Sequence, residues 1–145
     1  MSDSRLCLAL DFPTAEVATD WVSRTRDSFG VYKIGLELFC AEGRRIVDAV
    51  RDAGAEAIFL DLKLHDIPRT VARSVSRLAD LGVDYLTIHT GGGASMMEAA
   101  VEAANGRLTL LGVTVLTSLD ADELSQVGVS AAPEDAVLQR AQLAL

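Results

Sequence analysis

Cysteine is scarce in this sequence: Cys7 and Cys40 are the only two in 145 residues. Both lie in apolar stretches without metal-ligand spacing, which favours buried free thiols in a reducing compartment over a disulfide. Histidine is equally sparse, with His65 and His89 alone, and no cluster has the spacing of a metal site. No apolar run approaches the roughly 20 residues of a membrane span. Residues 1–5 lack a signal-peptide pattern and lead straight into the first element. Positive charge is short as well. Thirteen Lys and Arg against 21 Asp and Glu leave a formal charge of −8, which argues against nucleic acid or an anionic membrane as a nonspecific partner. A cytoplasmic protein is the resulting expectation. Half the residues are apolar and 23 % are charged, a composition that supports one ordinary domain with a real core.

Short apolar runs alternate with longer amphipathic stretches along the chain. The run at 6–10 is continuous and apolar, as a strand buried on both faces should be. Pro13 and Thr14 open a helical spacing of Val17, Ala18, Trp21, Val22 and Thr25, and Gly30 breaks it. Further strands are expected at 31–36, 57–62, 84–89 and 109–116. Helices are expected at 41–53, from Pro68 through Ala79, at 94–104 and at 133–145, with a short capped one starting at Asp120. Trp21 should anchor the first helix against the wall of the sheet.

Five βα units in succession predict a parallel sheet, either an open doubly wound one or a closed barrel. Polar residues favour the barrel. Asp11, Lys33, Asp61, His89 and Thr117 fall within or just after successive strands, at separations of 22, 28, 28 and 28 residues. One polar group per repeat at the same sheet edge matches a barrel whose site gathers strand ends, whereas a doubly wound sheet concentrates its groups at one switch point. The fold class is therefore α/β, a (β/α)8 TIM barrel of which this chain supplies about five consecutive units. A complete barrel needs eight units and at least about 200 residues, so the expectation is a fragment with exposed sheet edges.

The segment from Asp61 to Asp66 concentrates charge. Residues two apart in a strand share a face, so Asp61 and Lys63 should project together. Asp66 follows at the turn before Pro68, and Lys33 belongs to the neighbouring strand. An alternating Lys–Asp–Lys–Asp array is expected in a partly dehydrated site. A structural salt-bridge network at the rim is the alternative, but buried pairs are weak stability devices, and four charges converging on strand ends point to chemistry. A lysine flanked by carboxylates is held as its cation, which suits a proton donor or electrostatic clamp better than a Schiff-base nucleophile.

The pattern Asp61-x-Lys63-x-x-Asp66 is similar to that of the orotidine monophosphate decarboxylase superfamily, which includes sugar-phosphate decarboxylases and hexulose phosphate synthases. Its extended form, Asp61-Leu62-Lys63-Leu64-His65-Asp66-Ile67-Pro68-x-Thr70, resembles the orotidine 5'-phosphate decarboxylase branch, as do Leu8-Ala9-Leu10-Asp11, Tyr32-Lys33-Ile34-Gly35 and Val113-Thr114-Val115-Leu116-Thr117-Ser118. The resemblance spans essentially the whole chain in order. It implies decarboxylation of a small-molecule nucleotide, orotidine 5'-phosphate, to uridine 5'-phosphate without cofactor or metal. Asp11 and Lys33 are then expected at the ribosyl part, Asp61 beside the substrate carboxylate, and Lys63 as proton donor to the ring carbon that loses carbon dioxide. The substrate-binding stretch runs through Leu62, Leu64, His65, Pro68 and Arg69. Asp66, Ile67 and Thr70 are expected to reach the partner's site in a homodimer. Thr117, ahead of Ser118, is expected to hydrogen-bond the pyrimidine. The phosphate grip expected from loops after strands seven and eight is absent from these residues.

His89 is open between a structural histidine and a substrate contact. The run Gly91-Gly92-Gly93 is neither a Walker loop nor a dinucleotide fingerprint and reads as a turn needing unusual dihedrals. Met96 and Met97 read as packing residues.

Overall fold

The computed structural model describes residues 2–145. Five strands, β1 (Asp3–Ala9), β2 (Phe29–Gly35), β3 (Ala57–Leu64), β4 (Tyr85–His89) and β5 (Thr109–Val113), pair in parallel in chain order. A doubly wound sheet reverses its strand order at the switch point; here every strand neighbours the next one in sequence. The strands curl into a half-barrel of five βα units, the arrangement of a TIM barrel.

Helices carry the chain back between strands, α1 (Ala15–Thr25), α2 (Leu36–Glu42), α3 (Arg45–Asp52), α4 (Pro68–Ala79) and α5 (Ala94–Ala104), with one 3-10 turn at Thr90–Gly92, and α6 (Ala121–Gln126) and α7 (Pro133–Leu143) follow β5. Pro68 occupies the first turn of α4, where its missing N–H is not needed. Val71, Val75 and Ala79 form the buried stripe of that helix, α4 packs against α5, and Met96, Met97 and Ala100 of α5 are buried. The capping box of α6 is complete: Asp120 accepts from the Glu123 N–H, and Glu123 accepts from the Asp120 N–H. No helix among the described residues is long and apolar enough to cross a membrane.

Four details differ from expectation. The helix expected at 41–53 is two helices, α2 and α3. They are separated at Gly43, whose φ of 64° is readily available only without a side chain. β5 stops at Val113, three residues short of the expected 116, and the chain leaves the sheet in turns. Trp21 is 38 % exposed. It stacks on Phe12 with centroids 5.8 Å apart and has the Arg24 guanidinium 5.2 Å from its ring, while Ala18 and Val22 are the fully buried residues of α1. Cys7 and Cys40 are unpaired, as expected, but both are exposed.

The exposure of Cys7 follows from the sheet. Tyr32, Ile34, Ile58, Leu60, Leu86 and Ile88 are buried under the helices. The alternate residues Val31, Lys33, Phe59, Asp61 and Tyr85 sit on the inner face and are only partly buried. The run at 6–10, expected to be buried on both faces, is not: Leu6, Cys7 and Ala9 are exposed and only Leu10 is fully buried, while β2 and β3 alternate and only β4 is buried over consecutive residues, at Leu86, Thr87 and Ile88. Cys7 pairs in register with Val31 of that inner face, and β1 is an edge of the sheet.

Candidate active site

The inner face gathers charge where β1, β2 and β3 end. Lys33, in β2, places its Nζ 3.0 Å from Asp11 Oδ1, just beyond β1, and 3.7 Å from Asp61 Oδ2. Lys63 donates from Nζ to Asp61 Oδ1 at 2.8 Å. The order is therefore Asp11–Lys33–Asp61–Lys63, alternating in sign. These groups line a cavity of about 230 Å³ together with Gly35, Phe12 and Leu36. Gly35 borders the charged groups closely: a Cβ there would stand in van der Waals contact, 3.4 Å from Asp11 Oδ1 and 3.6 Å from Lys33 Nζ.

Lys33 and Lys63 are the only lysines in the sequence; the other eleven basic residues are arginines. An ammonium can give up a proton near neutral pH when its surroundings favour it, and a guanidinium cannot. Both lysine ammonium groups are in this cavity.

Asp61 and Lys63 do not lie on a regular strand. The ladder between β3 and β4 pairs Leu60 with Leu86 and then Leu64 with Ile88, so three residues of β3 stand opposite Thr87 alone. Lys63 sits at the bend with φ of 50°, the left-handed region, which costs a residue with a Cβ roughly 1–2 kcal/mol. Its backbone N–H donates to Thr87 Oγ1 at 2.9 Å, and the Thr87 hydroxyl donates to Asp61 Oδ1 at 3.0 Å. Burial pushes the Asp61 carboxyl up. The hydrogen bonds from Lys63 and Thr87 and the charges of Lys63 and Lys33 more than reverse this, and Asp61 titrates below its ordinary value. It stands as a carboxylate between two ammonium groups.

The structure does not bring Asp66 into the array. β3 ends at Leu64, and the exposed Asp66 carboxylate accepts from the N–H of Ile67 at 2.7 Å. Asp11 holds the fourth place instead. Ile67 is 66 % exposed, and Pro68, Arg69 and Thr70 are exposed with it. Leu62 is buried under the helices, and Leu64 lies with it and Thr70 beside a larger groove of about 530 Å³ next to α4. That groove carries no carboxylate and is not the charged cavity.

His65 and His89 face each other with ring centroids 5.2 Å apart, and with Arg140 they line a neighbouring cavity. Burial, then the charges of His65, Lys63 and Arg140, keep the His89 imidazole below its ordinary value. Thr117 lines neither cavity; it lies in the turn after β5, against α7. Gly93 has φ of 83° at the start of α5, the unusual dihedral expected of the glycine run.

The parallel order, the helices on one face and the charged residues on the other define a segment of a βα-barrel. The sequence profile described as the Orotidine 5'-phosphate decarboxylase / HUMPS family matches residues 4–145, and the chain belongs to that family. It is 49 % identical over 124 residues to the orotidine 5'-phosphate decarboxylase of Desulfosudis oleivorans, covering 85 % of this chain and 50 % of the relative. It is 48 % identical over 141 residues to that of Anaeromyxobacter sp., covering 97 % and 62 %. The crystal structure of orotidine 5'-phosphate decarboxylase from Lactobacillus acidophilus superposes with a TM-score of 0.86 at 33 % identity, covering 98 % of this chain and 67 % of that one. The chain spans about half to three fifths of the length of these curated relatives.

Proposed function

We propose that this chain is the portion of an orotidine 5'-phosphate decarboxylase that carries the proton donor and its flanking charges, and that the whole enzyme converts orotidine 5'-phosphate to uridine 5'-phosphate and carbon dioxide. The observation that supports this most is the Asp11–Lys33–Asp61–Lys63 array at the strand ends. When carbon dioxide leaves the pyrimidine, an electron pair remains on a ring carbon with no carbonyl placed to delocalise it well. An ammonium held beside that carbon stabilises the pair and then protonates it. Lys63 is the donor in this reading. Asp61 pairs with its ammonium and stands beside the substrate carboxylate, and Asp11 and Lys33 hold the ribosyl hydroxyls.

Asp66, Ile67 and Thr70 serve a partner's site in a cytoplasmic homodimer. Their exposure, with the Asp66 carboxylate bonded to the Ile67 N–H and outside its own array, supports that role. Thr117, which lies in the turn after β5 and outside the charged cavity, is assigned to the pyrimidine on the family resemblance alone. The reaction needs no cofactor. The phosphate grip belongs to later units of the barrel, so this chain alone turns over little.

The test is to offer orotidine 5'-phosphate to the full-length protein and to residues 1–145, measuring carbon dioxide release. The expected result is decarboxylation by the former and little by the latter. A full-length protein that leaves this substrate intact and acts on a sugar phosphate overturns the assignment. Rapid turnover by 1–145 overturns the division of labour.

A further inference from the structure

We infer that Thr87 is a positioning residue, which locks Lys63 and Asp61 into their relative geometry through one hydroxyl. This deepens, and rests on, the reading of Lys63 as proton donor and Asp61 as its partner.

The argument starts with the ladder. Between Leu60 and Leu64, β3 carries three residues opposite the single residue Thr87 of β4. Such an excess breaks regular pairing, so a backbone group on the bulged strand loses its ladder partner. The group concerned is the N–H of Lys63, and it donates to Thr87 Oγ1 at 2.9 Å. A threonine hydroxyl has one proton. With its oxygen accepting from Lys63, that proton goes to Asp61 Oδ1, 3.0 Å away. Asp61 Oδ1 also accepts from Lys63 Nζ at 2.8 Å. A closed ring results, from the Lys63 backbone through Thr87 and Asp61 to the Lys63 side chain.

Burial makes the ring selective. Thr87 is 5 % exposed and is one of only two buried polar residues among those described, the other being Thr90. Water is poorly placed to replace its hydroxyl, and an unpaired N–H in that position is unfavourable. The direction of donation matters too. A hydroxyl that donates to Asp61 favours the carboxylate over the protonated acid, and the carboxylate is the form that accepts from Lys63 Nζ. Lys33 Nζ, 3.7 Å from Asp61 Oδ2, is the other charged group on the carboxylate. Thr87 thus acts through both partners without touching the cavity's contents.

The experiment titrates Asp61 by carboxyl-carbon NMR in residues 1–145 with Thr87 intact, replaced by Val and replaced by Ser. In Thr87→Val the Asp61 midpoint rises, and the amide of Lys63 loses its protection from hydrogen exchange. In Thr87→Ser both return toward their native values. A merely structural threonine would lower the melting temperature in both variants and leave the Asp61 midpoint in place, and that result overturns the inference. If Thr87→Val does not fold, the native chain still decides: the Lys63 amide must exchange as slowly as the neighbouring ladder amides, and fast exchange overturns the ring. None of these readouts uses turnover, so an inactive chain bears on the decarboxylase assignment alone.

Discussion

Lys63 Nζ lies 2.8 Å from Asp61 Oδ1 although the two residues stand on a distorted stretch of one strand. A regular strand also sends residues two apart to the same face. The bulge adds a turn at the Lys63 backbone, so the ammonium folds back onto the carboxylate of its own strand. The pair is therefore local to β3, while its hydrogen-bond support comes from β4.

Acid should expose that pair. The Asp61 carboxyl is lowered from its ordinary value of 3.8. A lowered carboxyl contributes stability that is present above the ordinary value and lost as pH falls through the folded one. Melting temperatures measured from pH 7 down to below 3 should fall more steeply in the native chain than in Asp61→Asn. Parallel curves would show that Asp61 is not held below its unfolded value.

A separate loss is expected nearer neutrality. His89 is held below its ordinary 6.5 by burial first and then by the charges of His65, Lys63 and Arg140. For a base whose folded value is depressed, stability is present above the unfolded value and declines as pH falls through the folded one, because the folded state resists the proton. His89→Asn should flatten the decline in melting temperature just below pH 6.5 and leave the acid limb in place.

The core should respond to truncation in proportion to burial. Leu60 is fully buried between sheet and helices, and Leu60→Ala should lower unfolding free energy by about 2–5 kcal/mol. Leu138 is 59 % exposed on α7, and Leu138→Ala should fall within about 0.5 kcal/mol of the native chain. Urea denaturation followed by circular dichroism checks both.

Sharing of sites between subunits has a direct test in the full-length protein. Lys63→Ala subunits and Asp66→Asn subunits should each be nearly inactive. Mixed dimers should recover activity, because one native site reassembles per dimer. No recovery would place Asp66 in its own subunit's site.

The thiols offer a check that needs no substrate. Cys7 and Cys40 are exposed, so both should react with a disulfide reagent in native buffer. Burial pushes the Cys7 thiol up against the opposing charge of Lys33, and its rate should keep rising with pH beyond the ordinary thiol range. Reaction only after denaturation would show the inner face to be covered.

The fold was legible because each unit repeats one pattern: an apolar run, a helix with its stripe, and a glycine or proline at the join. Pro68 and the stripe of Val71 and Val75 located α4 without ambiguity. The charged cavity was legible because Lys33, Asp61 and Lys63 fall at strand ends. Asp66 was misplaced in the array because spacing cannot show that the chain turns away after Leu64. Thr87 escaped notice because a threonine inside an apolar strand carries no signal of its own; only the missing ladder partner of Lys63 reveals its task. Burial of Cys7 does not follow from its apolar neighbours, because they say nothing about which face of an edge strand is covered, and Cys40 lies on an exposed position of α2. One signal was present in composition: the restriction of lysine to two positions.

That restriction changes how the molecule meets its chemical surroundings. Cyanate, acyl phosphates and reducing sugars attack amines and largely spare guanidinium groups. Apart from the chain's own amino terminus, the only amines they can find are Lys33 and Lys63, so the arginine-covered exterior offers no decoys. Damage by such agents would thus register as a change in the charged cavity before it altered the rest of the surface, and a mass increment on a tryptic peptide of this chain would be a direct count of altered sites.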